Sequence, residues 1–280
     1  MRLVHTIKEV RQIISRRAGD IGFVPTMGAL HDGHASLMER ARHECDLVVA
    51  SIFVNPLQFG EGEDLARYPR SFDADAARAH AAGVDVLFAP DVAEMYPQPL
   101  QTAVTAGALG SILEGASRPG HFDGMATVVA KLLSIVGPCR AYFGEKDFQQ
   151  LAIINRLVDD LNLPVDVIGC AIVRDADGLA LSSRNVFLSA TEHTAATALW
   201  RALEGAKRAS TTNGMMPGRV EELMAEVLAT EPLVDVDYAV VIDARTLYRA
   251  RGDVWPSRAR ALIAARVGST RLIDNGAVGS

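Results

Sequence analysis

The run Leu47-Val48-Val49-Ala50-Ser51-Ile52-Phe53-Val54 constrains this chain more than any other feature. It is apolar at odd and even positions alike, so a strand built from it must be covered on both faces. Sheets covered on both faces are mostly parallel, and parallel strands need crossover connections, usually helices. The flanking sequence supplies them. Thr6 is placed to cap a first helix with Ile7, Val10, Ile13 and Ile14 on one face. The apolar run Ile21-Gly22-Phe23-Val24-Pro25 gives way near His31 to a second helix, whose apolar face holds Leu37 and Ala41. Further on, the pattern predicts helices over about 73–82, 124–136 and 148–161, with strands over 84–88 and 141–143 and a buried strand over 165–173. Strands alternating with amphipathic helices predict an α/β fold with a doubly wound parallel sheet.

Beyond residue 173 the pattern changes. Arg174-Asp175-Ala176-Asp177-Gly178 is a turn signal, and Ser182-Ser183-Arg184-Asn185 reads as a polar loop. Ser189 and Glu192 have capping-box spacing before a helix reaching about residue 209, which Thr211-Thr212-Asn213-Gly214 ends. Strand-like segments follow at 236–242, 261–267 and 271–273. The expected organisation is a first domain over 1–173 and a smaller α+β domain over 174–280.

Composition narrows the function. A net charge of −6 gives no global attraction for nucleic acid or anionic lipid, so an anionic substrate must meet a local cluster of cations. The three cysteines, Cys45, Cys139 and Cys170, are far apart and odd in number, which fits a reducing compartment better than a disulfide framework. No secretory leader is legible in the first twenty residues, and no apolar stretch is long enough to span a bilayer. A cytoplasmic protein with neither membrane nor nucleic-acid partner is expected.

In doubly wound sheets, ligands bind beyond the C-terminal strand ends. Four polar clusters fall there: His31-Asp32-Gly33-His34, Asn55-Pro56-Leu57-Gln58-Phe59, Gly144-Glu145-Lys146-Asp147 and Ser182-Ser183-Arg184. A helix start offers unpaired N–H groups and the positive end of a dipole, and Gly33 lets a phosphate approach the backbone. Lys146 stands at the electrostatically wrong end of its helix, which an anionic ligand would explain. Each cluster alone also reads as a solvated loop. Together they supply His34, Lys146 and Arg184 for phosphate charge, and Gln58 and Gln150 for neutral polar recognition. The chain has no Walker P-loop, no G-x-G-x-x-G after a strand and no nucleophile elbow. The remaining chemistry is attack on the α-phosphate of a nucleotide. Rival readings are a nucleotide-binding regulatory protein and a metal-binding module using His31 and His34, though His31, His34, His43 and Cys45 lack the spacing of a tetrahedral site.

Pro25-Thr26-Met27-Gly28-Ala29-Leu30-His31-Asp32-Gly33-His34 resembles the signature of the pantothenate synthetase family, the pantoate–β-alanine ligases of the HxGH nucleotidylyltransferase superfamily. Ser51 through Phe59, Tyr68-Pro69-Arg70, Arg118-Pro119-Gly120-His121-Phe122-Asp123-Gly124, Phe143 through Asp147, Asp177 through Asn185 and Ala264-Ala265-Arg266-Val267-Gly268 extend the resemblance over nearly the whole chain. It implies a Rossmann-like domain with a smaller C-terminal α+β lid domain, assembled as a homodimer. It implies an AMP-forming ligase that uses ATP and Mg2+ to make pantoyl adenylate, then passes the pantoyl group to β-alanine. Another HxGH nucleotidylyltransferase, stopping at the adenylate, is the nearest alternative. By the same resemblance, ATP would meet Met27, Gly28, Ala29, Leu30, His31, Asp32, Gly33, His34, Gly144, Glu145, Lys146, Asp147, Val173, Leu181, Ser182, Ser183 and Arg184. His34, His31, Lys146 and Arg184 would be catalytic. Gln58, Gln150, Asn55 and Arg118 would bind the substrates, and Asp75 would help place magnesium. Leu181 stands where the family usually has methionine, and Asp175 where it usually has glutamate.

Overall fold

The computed structural model describes residues 1–16, 19–60, 64–250, 252 and 254–279. Contacts divide the chain into two compact units, residues 1–145 with 153–171, and residues 146–152 with 172–280.

The first unit is built on a six-stranded parallel sheet, in the order β1-β4-β3-β2-β5-β6. Its strands are β1 (Arg2–Val4), β2 (Ile21–Thr26), β3 (Leu47–Ile52), β4 (Val86–Phe88), β5 (Cys139–Gly144) and β6 (Val165–Cys170). The crossing helices are α1 (Ile7–Ile14), α2 (Asp32–Glu44), α3 (Phe72–Ala81), α4 (Val92–Met95), α5 (Glu114–Ser117), α6 (His121–Val136) and α7 (Phe148–Asp160). β2 and β3 pair in register from Ile21 opposite Leu47 to Thr26 opposite Ile52, so their C-terminal ends finish level. On one face Val24, Val48, Ala50 and Tyr142 pack with Leu37, Met38 and Ala41 of α2 and Ala79 of α3. Phe23 and Val49, pointing to the other face, are equally buried. The doubly covered sheet expected from residues 47–54 is therefore present.

Three local expectations change. β6 ends at Cys170 and is one of the sheet's two edge strands, with Asp166 exposed and Val167, Ile168 and Gly169 only partly buried. β1 has no counterpart among the expected strands, because three residues carry no measurable periodicity. Lys146 lies in a 3-10 turn, Glu145–Asp147, ahead of α7.

The second unit contains helices α8 (Ala190–Ser210) and α9 (Pro217–Leu228) and an antiparallel sheet of β7 (Val234–Asp243), β8 (Ala259–Val267) and β9 (Thr270–Val278). The capping box of α8 is present: Glu192 N–H donates to Ser189 Oγ and Ser189 N–H to the Glu192 carboxylate. These bonds hold the Glu192 carboxyl below its usual range, the backbone bond most strongly. Leu199, Ala202 and Leu203 of α8 pack with Val220, Met224 and Leu228 of α9 and Ile263 and Ala265 of β8. The sequence reading missed α9, although Val220, Met224 and Leu228 repeat every fourth residue behind a proline suited to a helix start.

Residues 173–181 form a small hairpin, with Leu181 N–H donating to the Val173 carbonyl and Arg174 bridging Ala180. Gly178 turns it at φ +94°, and a Cβ there would lie 1.9 Å from Trp200 Cδ1. Gly178→Ala is expected to cost about 1–3 kcal/mol through overpacking and positive φ, read as a lower melting temperature. An unchanged melting temperature would show that Trp200 can move aside freely.

Candidate active site

Each unit carries part of the expected site, described in turn. In the first, the chain leaves β2 through a turn that sets two consecutive residues at positive φ. Gly28 has φ +83° and Ala29 φ +50°, a left-handed conformation unusual for alanine. A Cβ on Gly28 would sit 3.0 Å from Asp75 Oδ2 and 3.2 Å from Ile52 Cγ2, so position 28 accepts glycine for both its angle and its space. Asp75, 3% exposed, explains how the turn is held. Its Oδ2 accepts the Ala29 N–H at 2.8 Å, and its Oδ1 accepts the Leu30 N–H at 2.8 Å and the Ser71 hydroxyl at 3.2 Å. Thr26 adds a brace, accepting the Gly28 N–H and donating to the Ser51 carbonyl.

This braced turn delivers His31 to the N-cap of α2, with Asp32, Gly33 and His34 in its first turn. The His31 and His34 rings lie 4.1 Å apart between centroids. The His31 N–H donates to His34 Nδ1 at 3.3 Å, so the neutral His34 ring carries its proton on Nε2. Asp32 pairs with Arg78. A cavity of about 500 Å³ lies beside the turn, lined by Met27, Gly28, Ile52, Arg70, Phe72 and Asp75 among others.

Beyond β3, Asn55 caps the 3-10 turn Pro56–Gln58. It is fully buried, and its amide is engaged on both sides. Oδ1 accepts the Tyr96 hydroxyl at 2.9 Å and the Leu57 N–H; Nδ2 donates to Gln58 Oε1 and the Gly124 carbonyl, each at 3.1 Å. Burial pushes the Tyr96 phenol up to about 12, which keeps it a donor. Gln58 Nε2 in turn donates to Met27 Sδ at 2.9 Å. Arg118 donates to His121 Nε2 at 3.0 Å, which leaves His121 Nδ1–H to donate to the Gln58 backbone carbonyl at 2.7 Å. Gly144 ends β5, followed by Glu145.

The second unit holds Lys146, Asp147 and Gln150, and the hairpin with the loop after it. Lys146 Nζ lies 3.8 Å from Asp147 Oδ1 with its side chain 18% exposed, a loose pairing that leaves the cation reachable. Val173 and Leu181 face each other across the hairpin ladder. Ser182 caps the 3-10 turn Ser183–Phe187, accepting the Arg184 N–H at 3.2 Å. Leu181 is half-buried, and Asp175 is exposed at the hairpin turn, where the missing methylene meets solvent.

Asp75 was expected as a magnesium residue; the structure engages both its oxygens with backbone N–H groups. Tyr96 and His121 were not singled out as functional. Tyr96 has no local signal, whereas His121, three residues after Arg118 in Arg118-Pro119-Gly120-His121-Phe122-Asp123-Gly124, has one. Among the described residues, no group of three or more His, Cys, Asp or Glu is placed to hold a metal ion. No helix among them is long and apolar enough to cross a membrane.

A parallel α/β sheet whose second strand turns into a His-x-Gly-His helix start is the arrangement of the Rossmann-like HxGH nucleotidylyltransferases. Within that class the chain belongs to the pantoate-beta-alanine ligase family, whose model matches residues 2–277. It is 52% identical over 285 residues to a pantothenate synthetase of Agrobacterium fabrum, covering 100% of this chain and 96% of the relative. The crystal structure of a pantothenate synthetase from Thermus thermophilus superposes with a TM-score of 0.95 at 48% identity, covering 100% of both chains. The Francisella tularensis pantoate-beta-alanine ligase, solved in complex with beta-gamma ATP and beta-alanine, gives a TM-score of 0.81 at 35% identity, covering 99% of this chain and 97% of that one.

Proposed function

We propose that this chain joins pantoate to β-alanine in two steps: pantoate and ATP give pantoyl adenylate and pyrophosphate, then β-alanine displaces AMP to give pantothenate. The observation that carries the reading is the helix start at His31–His34, braced by Asp75 at the strand ends of a chain from this family.

In the first step a pantoate carboxylate oxygen attacks the α-phosphorus, and the bond to the bridging oxygen breaks. Negative charge grows on the departing pyrophosphate. His34 Nε2–H and the first-turn N–H groups of α2 would donate to it, and Lys146 and Arg184 would neutralise it. Gln58 Nε2 offers pantoate a donor, and Gln150 a second amide. In the second step the amine of β-alanine attacks the acyl carbon, and AMP leaves with the bonding electrons. Neither step needs a covalent enzyme intermediate.

Magnesium enters this reading as part of the ATP substrate, since it is commonly bound by phosphate oxygens and one or two carboxylates. Asp147, half exposed at its side chain, is available as such a carboxylate, whereas Asp75 is engaged with backbone. The family pattern also supports a cytoplasmic homodimer.

The test is isotope exchange. Without β-alanine, labelled pyrophosphate is expected to enter ATP only when pantoate is present; adding β-alanine should drain the intermediate to an amide and AMP. Exchange independent of pantoate, or an amide formed with ADP, would sink the mechanism.

A further inference from the structure

Asp274 and Asn275 are consecutive residues of β9, each 3% exposed, in a strand that also buries Thr270, Leu272 and Val278. Burying a carboxylate and an amide side by side is costly unless each is fully hydrogen-bonded. The Asp274 carboxylate takes both Arg174 guanidinium nitrogens, at 2.6 and 2.9 Å. Arg174 also donates to the Gly178 carbonyl and lies 4.1 Å over the Trp200 ring, fixing the hairpin that leads into Ser182, Ser183 and Arg184. Asn275 reaches a different segment. Its Oδ1 accepts Arg260 Nε at 2.6 Å, and its Nδ2 donates to the Lys146 backbone carbonyl at 2.8 Å. Arg260 in turn stacks 4.1 Å over Phe148, two residues after Lys146.

We infer that Asp274 and Asn275 are a positioning pair: from neighbouring rungs of one strand they tie down the Lys146 main chain and the hairpin ahead of Arg184, and so set the spacing of the two cations. The inference rests on the reading of Lys146 and Arg184 as phosphate contacts. An apolar pair of similar size would fill the same space without directional bonds, and buried ion pairs are often no more stabilising than such replacements. What the polar pair adds is a fixed location for each segment. A misplacement of about 1 Å at a reacting centre can cost about a hundredfold in rate.

Asn275→Asp separates positioning from general stability, because it is nearly isosteric and keeps the acceptor for Arg260 while turning the donor to Lys146 into a second acceptor. Pyrophosphate exchange is measured at saturating ATP and pantoate in four proteins: the parent, N275D, K146A and the double variant. The expected result is a loss of about tenfold or more for N275D in the parent, and less than about twofold in the K146A background, since the tie then holds nothing that acts. D274N with R184A is read the same way. An equal fractional loss in both backgrounds, or parent-level exchange in N275D, overturns the inference. Parent-level exchange in K146A instead overturns the underlying reading of Lys146, a distinguishable outcome. If N275D does not melt cooperatively, N275A replaces it in the cycle. Loss of cooperative melting in both variants would assign Asn275 to stability and likewise overturn the inference.

Discussion

Replacing His34 by alanine is expected to lower pantoate-dependent pyrophosphate exchange by about two to three orders of magnitude, the usual consequence of removing one preorganised donor to developing negative charge. The fold should survive, because the ring is only partly buried in the first turn of α2 and its bond to the His31 N–H can pass to water. The tautomer makes the prediction sharper. With Nδ1 accepting from backbone, Nε2–H is the donor that the proposed function assigns to the phosphates. A glutamine amide at position 34 reaches closer to Nε2, and an asparagine amide closer to Nδ1. His34→Gln should therefore keep more activity than His34→Asn, with KM for ATP less affected than kcat. Equal activities in the two amide variants would show that the imidazole acts otherwise, and an H34A protein without a cooperative melt would make His34 structural.

Asp75→Asn should produce the second large effect, and by a different route. The amide can accept from only one of the Ala29 and Leu30 N–H groups and must turn its own NH2 toward the other. Leaving one buried donor unmet costs about 1–3 kcal/mol. Ala29, already at positive φ, then loses the bond that holds it there. Adenylate formation is expected to fall about a hundredfold as the histidines lose their alignment. Magnesium distinguishes this role from metal ligation. A lost metal ligand is compensated by more metal, whereas a lost brace is not. The activity of D75N should stay low across a magnesium titration; recovery to near the parent level at high magnesium would refute the positioning role.

Much of the fold was legible wherever a local signal has one outcome. Apolar residues on both faces of 47–54 require coverage from both sides, and Thr6 and Ser189 cap the helices their spacing announces. The histidine turn could be placed at a helix start because the apolar run over 21–25 precedes it and the apolar helix face of Leu37 and Ala41 follows it. What escaped was mostly tertiary. The aspartate at 75 sits on an ordinary helix face, and only folding shows that the strained turn after β2 lies within hydrogen-bond reach. Asp274 and Asn275 fall just beyond the strand-like segment 271–273 in sequence, and their partners, 100 and 129 positions away, are visible only once the chain is folded. Tyr96 donates to Asn55 across 41 positions. Periodicity reports which face of an element is apolar; it carries no information about which distant backbone group a buried polar atom will meet.

The Gln58 amide is held at both ends: its oxygen accepts from Asn55 Nδ2, and its NH2 donates to Met27 Sδ. Turning it over would set two NH2 groups face to face. Asn55 cannot answer by turning too, because its own oxygen holds the Tyr96 hydroxyl and its nitrogen the Gly124 carbonyl. The three side chains therefore form a row of polarised links with a single sense, running from the tyrosine hydroxyl to the glutamine, and a flip at either amide is resisted by its neighbour.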